Sequence, residues 1–173
     1  MRARPATPPP RDVATPRDAA APVGDGSLES LRQACVDTIN MYRATKSLPP
    51  RARAPAANES CSDEGAKLDS TTGKAHGSAA KGSVPCRTAA VAQNACPNYP
   101  VRAGSTAEAT MKGCLTQMWA EGEPPGGVAS CTGACFQAHG HYINMIANYK
   151  TVSCGFFEND KKPWWMNQDF SGR

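Results

Sequence analysis

The chain has few aromatic residues and lacks any long apolar run. Aromatic side chains make up 6% of its 173 residues, so we expect covalent cross-links to supplement a core with few large side chains. No apolar run is long enough to span a bilayer, which predicts a protein without a transmembrane segment. The length suits one domain. The net charge of +4 comes from arginines scattered among prolines and alanines. Without a basic stripe and interleaved aromatics, this pattern argues against nucleic-acid binding.

Motifs that carry common catalytic chemistry are also missing. The sequence contains no Gly-x-Ser-x-Gly nucleophile turn and no Walker-type or dinucleotide-binding glycine loop. No single cysteine stands apart as a nucleophile. Residues 86–94, which read Cys-Arg-Thr-Ala-Ala-Val-Ala-Gln-Asn, contain no acidic residue. We therefore expect a protein that is not an enzyme.

The N-terminal region differs in composition from the rest. Residues 1–26 contain six prolines and little apolar bulk, which predicts a disordered Pro/Ala-rich linker followed by a folded domain over 27–173. The opening arginines are not followed by the apolar stretch of a signal peptide. A leader, if the protein is exported, is expected to lie upstream or to have been lost.

Cysteine content points to an oxidising compartment. Eight cysteines spread over the folded region predict four disulfides and an extracellular or periplasmic location. Each disulfide would contribute about 2–4 kcal/mol. With about 105 possible pairings, the sequence leaves the connectivity open. The cysteines are Cys35, Cys61, Cys86, Cys96, Cys114, Cys131, Cys135 and Cys154.

Hydrophobic periodicity predicts three helices. The first begins after the N-cap Ser27, and its apolar residues recur at three- and four-residue steps until Pro49-Pro50. The second begins near Ser60 in a capping-box pattern, and the third is capped by Ser105 with Glu108 three residues later.

Short strands are expected in the C-terminal part, at about 142–148, 151–157 and 163–169. The segment Gly140-His141-Tyr142 would open the first strand of a hairpin, and Cys154 would lie in its return strand. Residues 77–104 show no sustained periodicity. Helices followed by a β-meander predict an α+β fold.

These motifs resemble the CAP superfamily (cysteine-rich secretory, antigen 5 and pathogenesis-related-1 proteins), also called the SCP domain. The resemblance covers about residues 28–170 and includes Asn40 and Arg43 near the end of the first helix. It implies an α-β-α sandwich with a small antiparallel sheet flanked by helices. It also implies a secreted, non-catalytic binding domain.

A cleft with two histidines and two carboxylates follows from the same resemblance. His76, His141, Tyr142 and Glu121 are the matching residues, with Glu123 as a substitute for Glu121. Three of them, His76, His141 and Glu121, could hold zinc with an open position. No other cofactor is expected.

The second carboxylate of the family is absent from residues 86–94, although Gln93-Asn94 resembles the end of the family's acidic motif. Its loss is expected to weaken zinc binding and to disfavour calcium, which needs several oxygen ligands. A glutamate placed at Ala89 or Ala90, where that motif most nearly aligns, is expected to restore affinity.

Other functions remain open. One is a divergent metal-dependent hydrolase that uses the same histidines and glutamate, and another is a decayed paralogue with a structural role only. A structural zinc site at Cys131, Cys135, His139 and His141 would require a reducing compartment. For the binding domain, the partner could be a lipid, a sterol, a glycan or a protein.

Overall fold

The computed structural model describes residues 27–100, 103–159 and 163–172, and they form the predicted α+β fold. The predicted linker, residues 1–26, lies outside the described residues. In chain order the helices are α1 (Leu28–Ala44), α2 (Ala56–Thr72), α3 (Ala107–Ala120) and α4 (Ala134–Ile146). A short 3-10 helix, Val128–Ser130, precedes α4.

Four strands form one mixed sheet in the order β1-β3-β4-β2. The strands are β1 (Ala52–Arg53), β2 (Ala92–Pro100), β3 (Thr151–Glu158) and β4 (Pro163–Ser171). The three long strands pair antiparallel, but β2 replaces the predicted strand 142–148 in the sheet, and the two-residue β1 adds to β3 in parallel. Strand β2 is therefore an edge strand.

Helices cover both faces of this sheet. Side chains alternate along β4, so successive residues of this strand contact helices on opposite faces. Asn167 and Asp169 point to α2, where they bond Asp69 and Ser62. The alternate residues of β4 point to α1 and α3 and join the hydrophobic core there. That core is formed by Leu31, Cys35, Val36, Ile39, Cys96, Met111, Cys114, Leu115, Met118, Met145, Val152, Cys154, Phe156, Met166 and Phe170.

The four predicted disulfides are present, and the described residues contain no free cysteine. Three of them join separate parts of the fold, and the fourth links the end of the 3-10 helix to the first turn of α4. The pairs are Cys35–Cys154, Cys61–Cys86, Cys96–Cys114 and Cys131–Cys135. Cys86 thus anchors the segment before β2 to α2, and Cys96 anchors β2 itself to α3.

The strand predicted at 142–148 is wrong, because these residues belong to the second half of α4 and the turn after it. Tyr142, Ile143, Asn144 and Met145 are all buried. A short apolar run that is buried on several sides has the same composition in a helix and in a strand. The predicted strands at 151–157 and 163–169 are confirmed as β3 and β4.

Helix starts are predicted less well. Ser27 caps α1 as predicted, since its side chain accepts from the Ser30 amide. Helix α2 begins at Ala56 after Pro55, four residues before Ser60. The cap of α3 is Thr106 rather than Ser105, because the Thr106 hydroxyl accepts from the amide of Ala109.

The segment 77–104 also contains more structure than its sequence indicated. Its second half forms β2, which holds the buried run Gln93–Cys96. No helix in the described part of the chain combines the length and the apolarity needed to cross a membrane.

Candidate functional site

The two predicted cleft histidines meet at the edge of the sheet. His76 follows the C-terminal end of α2, His141 lies on α4, and their ring centroids are 6.2 Å apart. The backbone of His76 has φ 64°, a left-handed conformation that costs a non-glycine residue about 1–3 kcal/mol. Tertiary contacts therefore hold His76 in an unfavourable local conformation.

Neighbouring residues of β2 each contact one of the two histidines. The Oε1 atom of Gln93 lies 3.2 Å from Nδ1 of His76, and Nδ2 of Asn94 donates to the carbonyl of His141 at 3.1 Å. Adjacent residues of a strand point to opposite faces. The edge strand thus connects His76, on the α2 side, with His141, on the α4 side.

Glu121, at the end of α3, fixes the orientation of His141. Its Oε1 atom lies 2.5 Å from Nδ1 of His141, and its Oε2 atom accepts from the amides of His141 and Tyr142 at 3.0 and 3.1 Å. A carboxylate only accepts, so Nδ1 of His141 carries the proton in this contact. A neutral His141 therefore presents an unprotonated Nε2 atom.

Gln93 fixes the tautomer of His76 in a similar way. Its Nε2 group donates to Oγ of Ser78 at 3.0 Å and to Oδ1 of Asp169 at 2.9 Å. The amide oxygen must then face His76 and accept its Nδ1 proton. His76, like His141, presents Nε2 as an acceptor.

The environment of His76 disfavours its protonated form. Partial burial of the ring is the main cause that lowers its pKa below the ordinary 6.5, and the neighbouring His141 lowers it further. The bond to Gln93 and the carboxylates of Asp69 and Asp169 act in the opposite direction. Burial prevails, so His76 stays neutral to lower pH than a free histidine.

The C-terminal end of α4, beyond His141, is held by two buried arginines. Arg43 donates to the carbonyls of Met145 and Ala147 at 2.7 and 3.2 Å. Arg51 donates to the carbonyls of Asn144 and Ala147 at 2.9 and 2.5 Å. Cationic groups complement the negative end of the helix dipole, so this pair fixes the helix that carries His141.

Two other predicted site residues lie elsewhere. Tyr142 is 2% exposed, and its ring packs against that of Trp119 with a centroid distance of 4.8 Å. Only its amide, bonded to Glu121, takes part in the site. The side chain of Glu123 is 63% exposed and lies 3.7 Å from Lys46, so it does not substitute for Glu121.

Gln93 is the site residue that sequence reasoning missed. Ala89 and Ala90, where a replacement acid was predicted, line a separate cavity, and neither cleft histidine is among the described residues around it. An acid in place of Gln93, by contrast, would face His76. The resemblance of Gln93-Asn94 to the end of the family's acidic motif was the available signal.

The arrangement does not fit the three-ligand zinc site predicted from the sequence. Glu121 uses its oxygens on Nδ1 of His141 and on two amides, so it supports a ligand without being one. Among residues 27–100, 103–159 and 163–172, no group of three His, Cys, Asp or Glu side chains is placed to hold a metal ion. Only two imidazole Nε2 atoms remain.

The alternative zinc site at the start of α4 is wrong. Cys131 and Cys135 are joined in a disulfide, and Nδ1 of His139 bonds the carbonyl of Gly122 at 3.1 Å. A disulfide sulfur is not a thiolate ligand.

No family model matches the sequence, and no curated protein matches it.

Proposed function

We propose that this chain is an exported, disulfide-stabilised domain of the CAP kind that binds a ligand through the His76–His141 cleft and does not catalyse a reaction. Four disulfides support the export, because such bonds persist in oxidising compartments. An α+β sandwich with the cysteine-bearing strand β3 at its centre supports the resemblance.

One observation carries the binding proposal. His76 and His141 come from different layers of the fold, and both have their Nδ1 atoms engaged. Two imidazole Nε2 atoms on rings 6.2 Å apart suit a ligand that brings hydrogen-bond donors, such as the hydroxyl groups of a glycan or a sterol. Their lone pairs disfavour a carboxylate at the same position.

Zinc ions can test whether His76 and His141 contact one ligand together, because Zn²⁺ binds two imidazole nitrogens and completes its coordination with water. Calorimetric titration of the oxidised protein should show one weak site. His76→Ala and His141→Ala should each weaken it by about tenfold or more.

The matched control is His139→Ala, which removes the histidine that bonds Gly122 outside the pair. It should leave zinc affinity unchanged. Equal affinities for the wild type, His76→Ala and His141→Ala would contradict a shared cleft.

A divergent hydrolase is the second candidate, since the Glu121–His141 contact resembles the orienter and base of a catalytic triad. Ser78, which bonds Gln93, is fully buried and donates its hydroxyl to Asp69 at 2.9 Å, so it is not free to act as a nucleophile. Ester hydrolysis that disappears in His141→Ala but persists in His139→Ala would favour the hydrolase over the binding domain.

A further inference from the structure

A concave site, separate from the histidine pair, lies at the N-terminal end of α2. It encloses about 580 Å³, within the usual range for small-molecule pockets. Its wall includes the start of α2, the Cys61–Cys86 disulfide, residues 87–92, Tyr149 and the C-terminal end of β4. Neither His76 nor His141 is among the described residues that line it, so a ligand here would be independent of the function proposed for the histidine cleft.

The N-terminus of α2 gives this cavity a positive end. Ala57 and Asn58 line it, and the N-cap Pro55 has no side chain that could cap the helix. The amides of Asn58 and Glu59 bond the Pro55 carbonyl. Those of Ala56 and Ala57 donate to no group among the described residues. A 17-residue helix concentrates about half a positive charge at such an end.

Arg87 provides an independent sign of a ligand at the same place. Its side chain is 6% exposed and borders the cavity. Nε donates to the Ser78 carbonyl at 3.1 Å and Nη2 to Asp169 at 2.7 Å. Nη1 has no partner among the described residues, yet it is not one of the fully enclosed unpaired atoms. The cavity that Arg87 borders is the open space into which Nη1 can donate.

The rest of the wall combines apolar residues with hydroxyl groups and carries no negative charge. Ala89, Ala90 and Val91 form an apolar stretch of it, Thr88 and Ser171 add hydroxyl groups, and the described lining residues include no aspartate or glutamate. Asp169 already balances the charge of Arg87. The helix end therefore supplies the attraction for an anionic ligand, and Nη1 of Arg87 can donate a directed hydrogen bond to it.

We propose that this cavity binds a small organic carboxylate, with its carboxylate between the N-terminus of α2 and Arg87 and its apolar body against residues 89–91. The carboxylate would satisfy the free amides of α2 and the unpaired Nη1 of Arg87 together.

The test is calorimetric titration of the oxidised full chain with benzoate and hexanoate, with benzyl alcohol and inorganic phosphate as comparison ligands. Both carboxylates should bind saturably at one site and more tightly than either comparison ligand. Ala90→Phe, at an exposed position in the cavity wall, should abolish binding. Ala109→Phe, on the exposed side of α3, should leave it unchanged.

A charge test avoids disturbing the buried Arg87. Asn58→Asp brings a negative charge to the cavity mouth and should weaken benzoate binding by about fivefold. Gln137→Glu makes the same charge change on the exposed part of α4 and should have no effect. The absence of saturable benzoate binding, its survival in Ala90→Phe, or equal affinity for benzyl alcohol or phosphate would overturn the proposal. His76→Ala should retain benzoate affinity, which separates this cavity from the histidine cleft.

Discussion

The two cleft imidazoles are held by different chemical groups. A carboxylate, Glu121, accepts from Nδ1 of His141, whereas a neutral amide, Gln93, accepts from Nδ1 of His76. A carboxylate stabilises imidazolium more than an amide does. Because the amide of Gln93 stabilises a protonated His76 only weakly, burial is the main influence on the pKa of His76.

We expect His76 to titrate below 6.5, because burial and the neighbouring His141 both lower its pKa. NMR titration of the ring carbons should show this. His141→Gln should raise the pKa of His76, since it removes the second ring that can carry charge, and burial should still keep it below the ordinary value. His139→Gln is the control and should not change the titration. A pKa at or above 6.5 in the wild type would contradict the assigned environment.

The same shift affects stability. Between the folded pKa of His76 and 6.5 the unfolded chain binds more protons, so the free energy of unfolding falls as the pH is lowered through this window. Chemical denaturation at several pH values should show a smaller decrease in His76→Gln.

Glu121 is expected to contribute through its two amide bonds and its bond to His141. Glu121→Gln should destabilise the fold by about 1.5–3 kcal/mol, because these bonds lose a charged acceptor. Urea denaturation measures the change. Glu123→Gln, at a side chain that is 63% exposed, is the matched control and should change the unfolding free energy by less than about 0.5 kcal/mol. Similar effects of the two substitutions would contradict the role assigned to Glu121.

At the scale of the elements, α2 and β3 approach each other closely. A Cβ atom at Gly155 would lie 2.1 Å from the carbonyl carbon of Ser62 and 2.2 Å from its oxygen. Both atoms belong to the backbone, so a side-chain rotation cannot relieve the clash. The glycine lets α2 approach the sheet closely enough for Ser62 to bond Ser153 and Asp169.

Gly155→Ala should therefore destabilise the protein by about 3 kcal/mol or more, because α2 must move away from the sheet. Gly113→Ala is the matched control. It lies in α3 with nothing within 4 Å of the added Cβ, and it should stabilise the helix by up to about 1 kcal/mol. Thermal unfolding of both variants measures the difference, and a tolerated alanine at Gly155 would mean that α2 packs elsewhere.

At the scale of the whole molecule, the disulfides join elements that are distant in sequence. Cys35–Cys154 spans 119 residues and connects α1 to β3, whereas Cys131–Cys135 spans 4. In the chain-entropy description, a longer closed loop restricts the unfolded chain more. The two bridges should therefore differ in their contribution to stability.

Replacing both cysteines of Cys35–Cys154 by alanine should cost about 5 kcal/mol, and replacing those of Cys131–Cys135 about 2 kcal/mol. Calorimetric melting of the two double variants checks the order. The native protein should also show no titratable thiol, and reduction should lower its melting temperature steeply. Eight reactive thiols in a stably folded protein would contradict both the bridges and the proposed export.

Local signals in the sequence determined several elements. The three- and four-residue spacing of apolar residues after Ser27 predicted α1, because a solvent-facing helix must bury one stripe. Residues 151–157 and 163–169 were predicted as strands from their short runs and flanking turns. The even number of cysteines predicted four disulfides. Each of these features depends on residues close together in the chain or on composition alone.

Only the tertiary structure decided the rest. Residues 142–146 are helical because α4 packs against α3 and β2 and is held by Arg43 and Arg51, and these contacts involve residues far away in sequence. The disulfide pairing is likewise a property of how the elements are placed.

The histidine pair shows both contributions. Its members were chosen from the sequence through a family resemblance, but their approach to 6.2 Å depends on two layers meeting at the edge strand β2. Gln93 was not predicted as the partner of His76, because no local pattern shows which residue 17 positions later in the chain will face a given ring. Chemistry that needs side chains from several elements is determined by packing, since a sequence pattern describes only one element at a time.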